Sequence, residues 1–142
     1  MAIVAAVDDS DRAAAVLAEA ETLASEFDEE LHALHVLERA ELVEVLDKEV
    51  EGQDPTENYE VQQHAERIVS GALPETARAD PTIEVRVGDP GAEIVGYAAE
   101  QDVRYVVVGG RQRTPTGKAL FGSVTQAVML ESPVSVVNVV LE

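Results

Sequence analysis

Gly109 is followed by Gln112 and, nine residues later, by Gly122-Ser123, within a stretch where no acidic residue lies between Asp102 and Glu131. Glycines beside a hydroxyl residue at the start of a helix are groups that hold phosphate. Their backbone N–H donors can approach an oxygen with no Cβ in the way, and the helix end adds about half a positive charge. Arg111, Arg113 and Lys118 fall in the same window and could pair with phosphate through charge-assisted bonds. Elsewhere a chain of net charge -18 repels an anion, so this window is where one would be tolerated. Asp8, closing the apolar run that begins at Ala2, is a second candidate; alone it would be read as a turn or cap residue.

The elements that must position these groups can be read from periodicity. Ala2 to Val7 is a continuous apolar run and predicts a buried first strand, ending in the turn residues Asp8-Asp9-Ser10. Residues 11–28 space Ala14, Leu17, Ala18, Leu23, Ala24 and Phe27 as one face of a helix. Residues 31–37 suit a second strand. Residues 38–60 are acidic, contain Gly52 and Pro55, and read as a variable connection with one helical patch at Leu42, Val43, Val45 and Leu46. A second helix is expected over about 57–73, a third strand over 83–87, and a third helix from Asp89-Pro90 to about Gln101. Aspartate accepts from free N–H groups there, and proline in the first turn has none to lose. Tyr105 to Val108 predicts a fourth strand and Gly110 to Phe121 a loop. Ser123-Val-Thr-Gln126 matches a capping box opening a fourth helix, and Pro133 to Val140 a last strand.

Five strands alternating with four helices specify one α/β domain over residues 1–142, with a parallel sheet and helices on both faces. In such sheets ligands bind at the carboxyl ends of strands where the winding reverses. If strands one and four are neighbours, Asp8 and Gly109 line one crevice. A hydrophobic content of 46% with only 4% aromatics means that Val, Ala, Leu and Ile build the core. Without cysteine, disulfide staples and thiolate metal sites are excluded. No charged leader precedes an apolar run, and no apolar stretch reaches the roughly 18 residues of a membrane span, so a cytoplasmic protein is expected.

The 28 acidic residues against 10 basic ones argue against nucleic-acid binding, which needs a basic footprint. Their spread along amphipathic segments is that of a solvated folded surface rather than a disordered tail. Such a surface suits a salt-rich cytoplasm, where 1 M salt shortens repulsion to about 3 Å.

Other motifs fail on spacing. Gly110 and Gly117-Lys118 are separated by six residues, and Ala119 replaces the hydroxyl that would hold magnesium, so the segment is not a P-loop. No Gly-x-Gly-x-x-Gly follows strand one, which removes the pyrophosphate cradle of a nicotinamide cofactor. His32, His35 and His64 lack paired metal-ligand spacing, so no metal site is expected, and His35 on an apolar strand reads as a core histidine. No Ser/His/Asp arrangement is supported by spacing, and no catalytic residue is assigned.

The order Ile3-Val-Ala-Ala-Val-Asp8-Asp-Ser10, Leu34-His35-Val36, Val87-Gly88-Asp89-Pro90, Gly109-x-x-Gln112-x9-Gly122-Ser123 and Pro133-Val-Ser-Val-Val-Asn-Val resembles the universal stress protein family over nearly the whole chain. The likeness is to its nucleotide-binding branch, in a haloarchaeal-like form. The resemblance implies a Rossmann-like sheet of order 3-2-1-4-5 and dimerisation along the last strand, about residues 134–140. It implies that Asp8 and Val36 contact adenine or ribose, that Val108 and Gly109 lie close to sugar and phosphates, and that Gly122, Ser123, Val124 and Thr125 present N–H and hydroxyl donors to phosphate. Gln112 departs from the family's second glycine. If that position needs a positive φ the cost is about 1–2 kcal/mol, and if not, the amide adds a donor.

The leading expectation is a dimeric regulatory module binding ATP, AMP or ADP, with Mg2+ for the triphosphate, acting on a protein partner that the sequence does not identify. An oriented base and nucleophile are missing, so any hydrolysis would be slow. Two rivals stand beside it. One is a nucleotide-free interaction protein whose site Gln112 has closed; the other is a slow ATPase that phosphorylates itself at Ser123 or Thr125. Ser123 and Gly109 also have plain structural uses, as a helix cap and a strand end.

Overall fold

A computed structural model describes residues 1–46, 54–110 and 121–140. Five parallel strands form one sheet in the order β3-β2-β1-β4-β5. They are β1 (Ala2–Ala6), β2 (Glu30–Leu37), β3 (Thr82–Val87), β4 (Val103–Gly110) and β5 (Ser135–Val140). The helices are α1 (Ala13–Phe27), α2 (Arg39–Leu46), α3 (Tyr59–Ala72), α4 (Pro90–Glu100) and α5 (Ser123–Glu131). The expected open, doubly wound sheet is therefore present, with β1 at its centre.

Alternation along β1 shows how the two faces are filled. Ile3 and Ala5 pack with Val16, Leu17, Ala20 and Ala24 of α1, whereas Val4 packs with Ile94 and Ala98 of α4 and Val128 of α5. Successive strand side chains point to opposite faces, so an apolar run with no polar position is what a strand covered on both sides requires. A third cluster joins Leu37 and Val85 of the sheet to Leu46 of α2 and to Val61 and Ala65 of α3. Fully burying each such side chain contributes about 1.5–3 kcal/mol.

Five helices among the described residues replace the four expected. Residues 38–60, read as a connection, contain α2 and then a short 3-10 turn over Pro55–Glu57. α2 buries little besides Leu46, which explains why its apolar pattern is weak in the sequence. α1 begins at Ala13 rather than at residue 11, because Asp8 to Arg12 are used in a turn: the Ser10 hydroxyl donates to Asp8, and the Arg12 N–H donates to Ser10 Oγ at 3.3 Å. The helix from 57 begins instead at Tyr59, where Asn58 accepts from the N–H groups of Glu60 and Val61. β4 is longer than expected and contains Gly109 rather than ending before it.

The start of α4 is as expected: Asp89 Oδ2 accepts from the Ala92 N–H at 3.0 Å, and Pro90 occupies the first turn. Gly88 just before it has φ +146, a region that side chains rarely adopt, and its amide donates to Leu37 O at 3.0 Å. At the opposite end of the sheet, the amino terminus and Arg104 both bind Glu29 at 2.9 Å and hold its carboxyl below the usual range. Among the described residues no helix is long and apolar enough to cross a membrane.

Candidate functional site

β1 pairs with β2 on one side and β4 on the other, so the winding reverses at β1 and the connections at its carboxyl end diverge. A crevice must open there. It is a cavity of about 440 Å3. Asp8, Val36, Val108, Gly109, Gly122, Ser123, Val124 and Thr125, from four different parts of the chain, all line it. Arg111, Gln112 and Arg113, together with Lys118, lie outside the described residues.

Val36 stands on the β2 face that packs with Ile94 of α4, and Val108 on the matching face of β4. Together they supply an apolar floor between the strand ends. Asp8 projects from the end of β1 and is 62% exposed, with Arg12 Nη2 at 3.7 Å. It thus serves the turn before α1 and the cavity wall at once. Gly109 is small for a packing reason: a Cβ there would lie 3.0 Å from Val16 Cγ2 and 3.2 Å from Arg12 Cβ. The absence of that atom lets the start of α1 lie against β4 without displacing either side chain.

The start of α5 corrects the capping-box expectation. Gly122 is the N-cap, with extended backbone, and among the described residues no side chain caps the helix. Gln126 N–H donates to Gly122 O at 3.0 Å, which places Ser123 inside the first turn, while the Gln126 side chain reaches Phe121 O at 3.4 Å. Ser123 is exposed. Thr125 is buried, and its hydroxyl donates to Gly109 O at 2.9 Å. That proton is committed to joining α5 to β4, so the hydroxyl expected to serve phosphate at Thr125 is spent. The donors left at this end are backbone N–H groups of the first turn and the Ser123 hydroxyl.

Several lining residues escape the sequence reading. Arg12 is the one Lys or Arg among the described residues of the cavity, and its spacing of four from Asp8 is the only sequence signal for it. Glu38, Ala40, Glu41 and Glu44 form the opposite wall, supplied by the unexpected α2 and the residue before it. The cavity thus carries carboxylates along α2, while its lining also includes the N-terminus of α5 and the Arg12–Asp8 pair. His35 is buried as expected, with Nδ1 2.7 Å from Val7 O. Its other nitrogen is 2.7 Å from Glu41, and His64 of α3 meets the same carboxylate at 3.1 Å. No spacing in the sequence points to this meeting of His35 and His64, because β2 and α3 come together only in the fold.

The profile of the Universal stress protein family matches residues 1–139. Among solved structures, a universal stress protein from Archaeoglobus fulgidus is 31% identical with a TM-score of 0.70, the similarity covering 97% of each chain. The universal stress protein from Archaeoglobus fulgidus in complex with dAMP is 26% identical with a TM-score of 0.68, covering 97% of this chain and 96% of that one. A universal stress protein in complex with cAMP shares the fold at 22% identity and a TM-score of 0.63, covering 98% and 95%. Among curated proteins, no sequence matches the chain.

Proposed function

Because the chain belongs to the universal stress protein family, we propose that it is an adenine-nucleotide-binding regulatory module, with ATP or AMP held in the cavity at the carboxyl ends of β1 and β4. One juxtaposition carries this reading: the acid-free start of α5, without a side-chain cap among the described residues, faces the same cavity as Asp8, Val36 and Gly109. Phosphate accepts from unpaired N–H groups at a helix N-terminus and is favoured by its dipole. Arg12 adds a cation at that end. Base and ribose then occupy the side floored by Val36 and edged by Asp8, where a carboxylate accepts from sugar hydroxyls or an exocyclic amine. The complex of a 26% identical relative with dAMP supports an adenine nucleotide as the ligand class.

The test begins with protein purified from cells, denatured, and its supernatant weighed by mass spectrometry; co-purified adenine nucleotide is expected. Titration with ATP and Mg2+ in molar KCl should give a binding isotherm that weakens at least about tenfold in Gly122→Val. Valine tolerates the φ of -71 and ψ of 165 found at Gly122, so the change crowds the phosphate end without straining the backbone. Absence of both co-purified nucleotide and binding heat in the parent would favour the nucleotide-free interaction protein. Phosphate release abolished by Ser123→Ala would favour the slow ATPase.

Two further parts of the reading concern the surface. β5 is an edge strand whose residues are only partly covered, and edges of this kind invite pairing with a second copy. Sedimentation at high salt should give a dimer, and a monomer would remove that part. The net charge of -18 fits a salt-rich cytoplasm. There the melting temperature should rise from dilute to molar KCl, and a flat response would refute the halophilic assignment.

A further inference from the structure

At the α2 wall of the nucleotide cavity, which His35 and Glu41 help to line, three side chains from three elements converge on one point. His35 Nε2 of β2 lies 2.7 Å from Glu41 Oε2 of α2, His64 Nε2 of α3 lies 3.1 Å from the same oxygen, and all three ligand atoms fall within 4.8 Å of one another. The orientation of His35 is fixed from behind. Its Nδ1 is 2.7 Å from the carbonyl oxygen of Val7, which can only accept, so Nδ1 carries a proton. In the neutral ring Nε2 then turns a lone pair toward a carboxylate oxygen. Two acceptors at that distance require a positive species between them.

We propose that this species is a divalent transition metal of the zinc class, bound by His35 Nε2, His64 Nε2 and Glu41, with a coordination position left for water. Two imidazoles and one carboxylate are a donor set that zinc accepts. A ring N–H donated to a backbone carbonyl is the support that metal-bound histidine ordinarily has, since it sets the tautomer and aims the other nitrogen. Tetrahedral zinc places neighbouring ligand atoms about 3.3 Å apart, so the His64 contact to Glu41 at 3.1 Å is already close to that spacing and the His35 contact at 2.7 Å would open by about 0.6 Å. The approach is from an outer cleft whose described lining includes Glu44 and Glu60 as well as Arg67, and carboxylates outnumber the cation there. His64 and Glu41 are partly exposed, which leaves a path for the ion, whereas His35 is buried. Bound metal would brace α2 against α3 and the sheet, and would thereby fix the carboxylate wall of the nucleotide cavity.

Untagged protein, washed with chelator and kept in molar KCl with excess Mg2+ to occupy surface carboxylates, would be titrated with zinc sulfate. Calorimetry should show a stoichiometric site, and the zinc-loaded protein should melt higher. Co2+ in its place should give the intense visible absorption of a four- or five-coordinate site. His64→Gln and Glu41→Gln should each weaken zinc binding by at least about tenfold while keeping the parent's circular dichroism, as loss of one of three ligands demands. His32→Gln should bind zinc like the parent, because His32 sits apart against Tyr97 and Glu30. No stoichiometric zinc in the parent would overturn the proposal and leave a proton as the shared cation. So would zinc binding that survives in both ligand variants, or that falls equally in His32→Gln.

Discussion

The starts of α4 and α5 both face the same cavity, through Pro90 in one case and Gly122 to Thr125 in the other, yet they are finished in opposite ways. At α4, Asp89 caps the helix, Pro90 removes a donor and Glu93 adds an acid to the first turn. At α5 the cap is a glycine, no side chain among the described residues accepts from the helix end, and no acid occupies the first turn. Both helices have the same intrinsic need, since the first N–H groups of any helix have no partner within it. One end meets that need internally. The other is left without a side-chain cap among the described residues. The two are packed together closely enough that a Cβ on Gly91 would come within 3.0 Å of Ala127 Cβ, so the difference reflects local residues and not separate environments.

The sharpest way to break the comparison is to give α5 an acid of its own. In Ser123→Asp the carboxylate should interact favourably with the helix dipole and raise stability by about 0.3–1 kcal/mol. It should also repel phosphate and lower nucleotide affinity by about 10- to 100-fold, as like charges a few ångströms apart near a surface do. Opposite signs in melting and in titration are the expected result. A variant that gained stability and kept its affinity would show that phosphate does not use this end.

Thr125→Val is expected to act next most strongly. It keeps the shape but deletes the hydroxyl that donates to Gly109 O, at a buried position. Loss of about 1–2 kcal/mol of stability by denaturant titration is expected, with a smaller, several-fold loss of affinity as α5 loosens from β4. The smallest effect on binding belongs to Asp89→Ala. Removing that cap should cost about 1 kcal/mol of stability, yet nucleotide affinity should stay within about twofold of the parent. If Asp89→Ala weakened the nucleotide as much as Ser123→Asp, both helix ends would serve the ligand and the contrast between them would be lost.

The same contrast marks what could be read in the sequence. Asp89-Pro90 is an unambiguous helix start because an acceptor and a residue without N–H occupy the positions where each is most useful. Ser123-x-x-Gln126 is ambiguous, since the pattern is identical whether serine sits at the cap or one residue inside. The extended backbone at Gly122 and the pull of Thr125 toward Gly109 decide for the second. α2 is hard to read as a full helix for a related reason: its large apolar residues are confined to Leu42, Val43, Val45 and Leu46, a patch too short to set a period, and only Leu46 is buried. Gly109 is expected to lie close to sugar and phosphates, whereas the protein atoms that crowd it belong to Val16 and Arg12 of the α1 region.

By itself the sequence determined the α/β class, the sheet's apolar strands, the existence of four of the five helices and the acid-free segment suited to phosphate. Each of these is a local property, written in the spacing of apolar residues and in the residue types at turns. Tertiary structure alone decided which residues meet. Asp8, Val36, Gly109 and Ser123 share one cavity because the winding reverses at β1. His35, Glu41 and His64 converge because α2 and α3 fold over the same sheet face. Such meetings depend on packing between segments far apart in the chain, and no spacing within one segment encodes them.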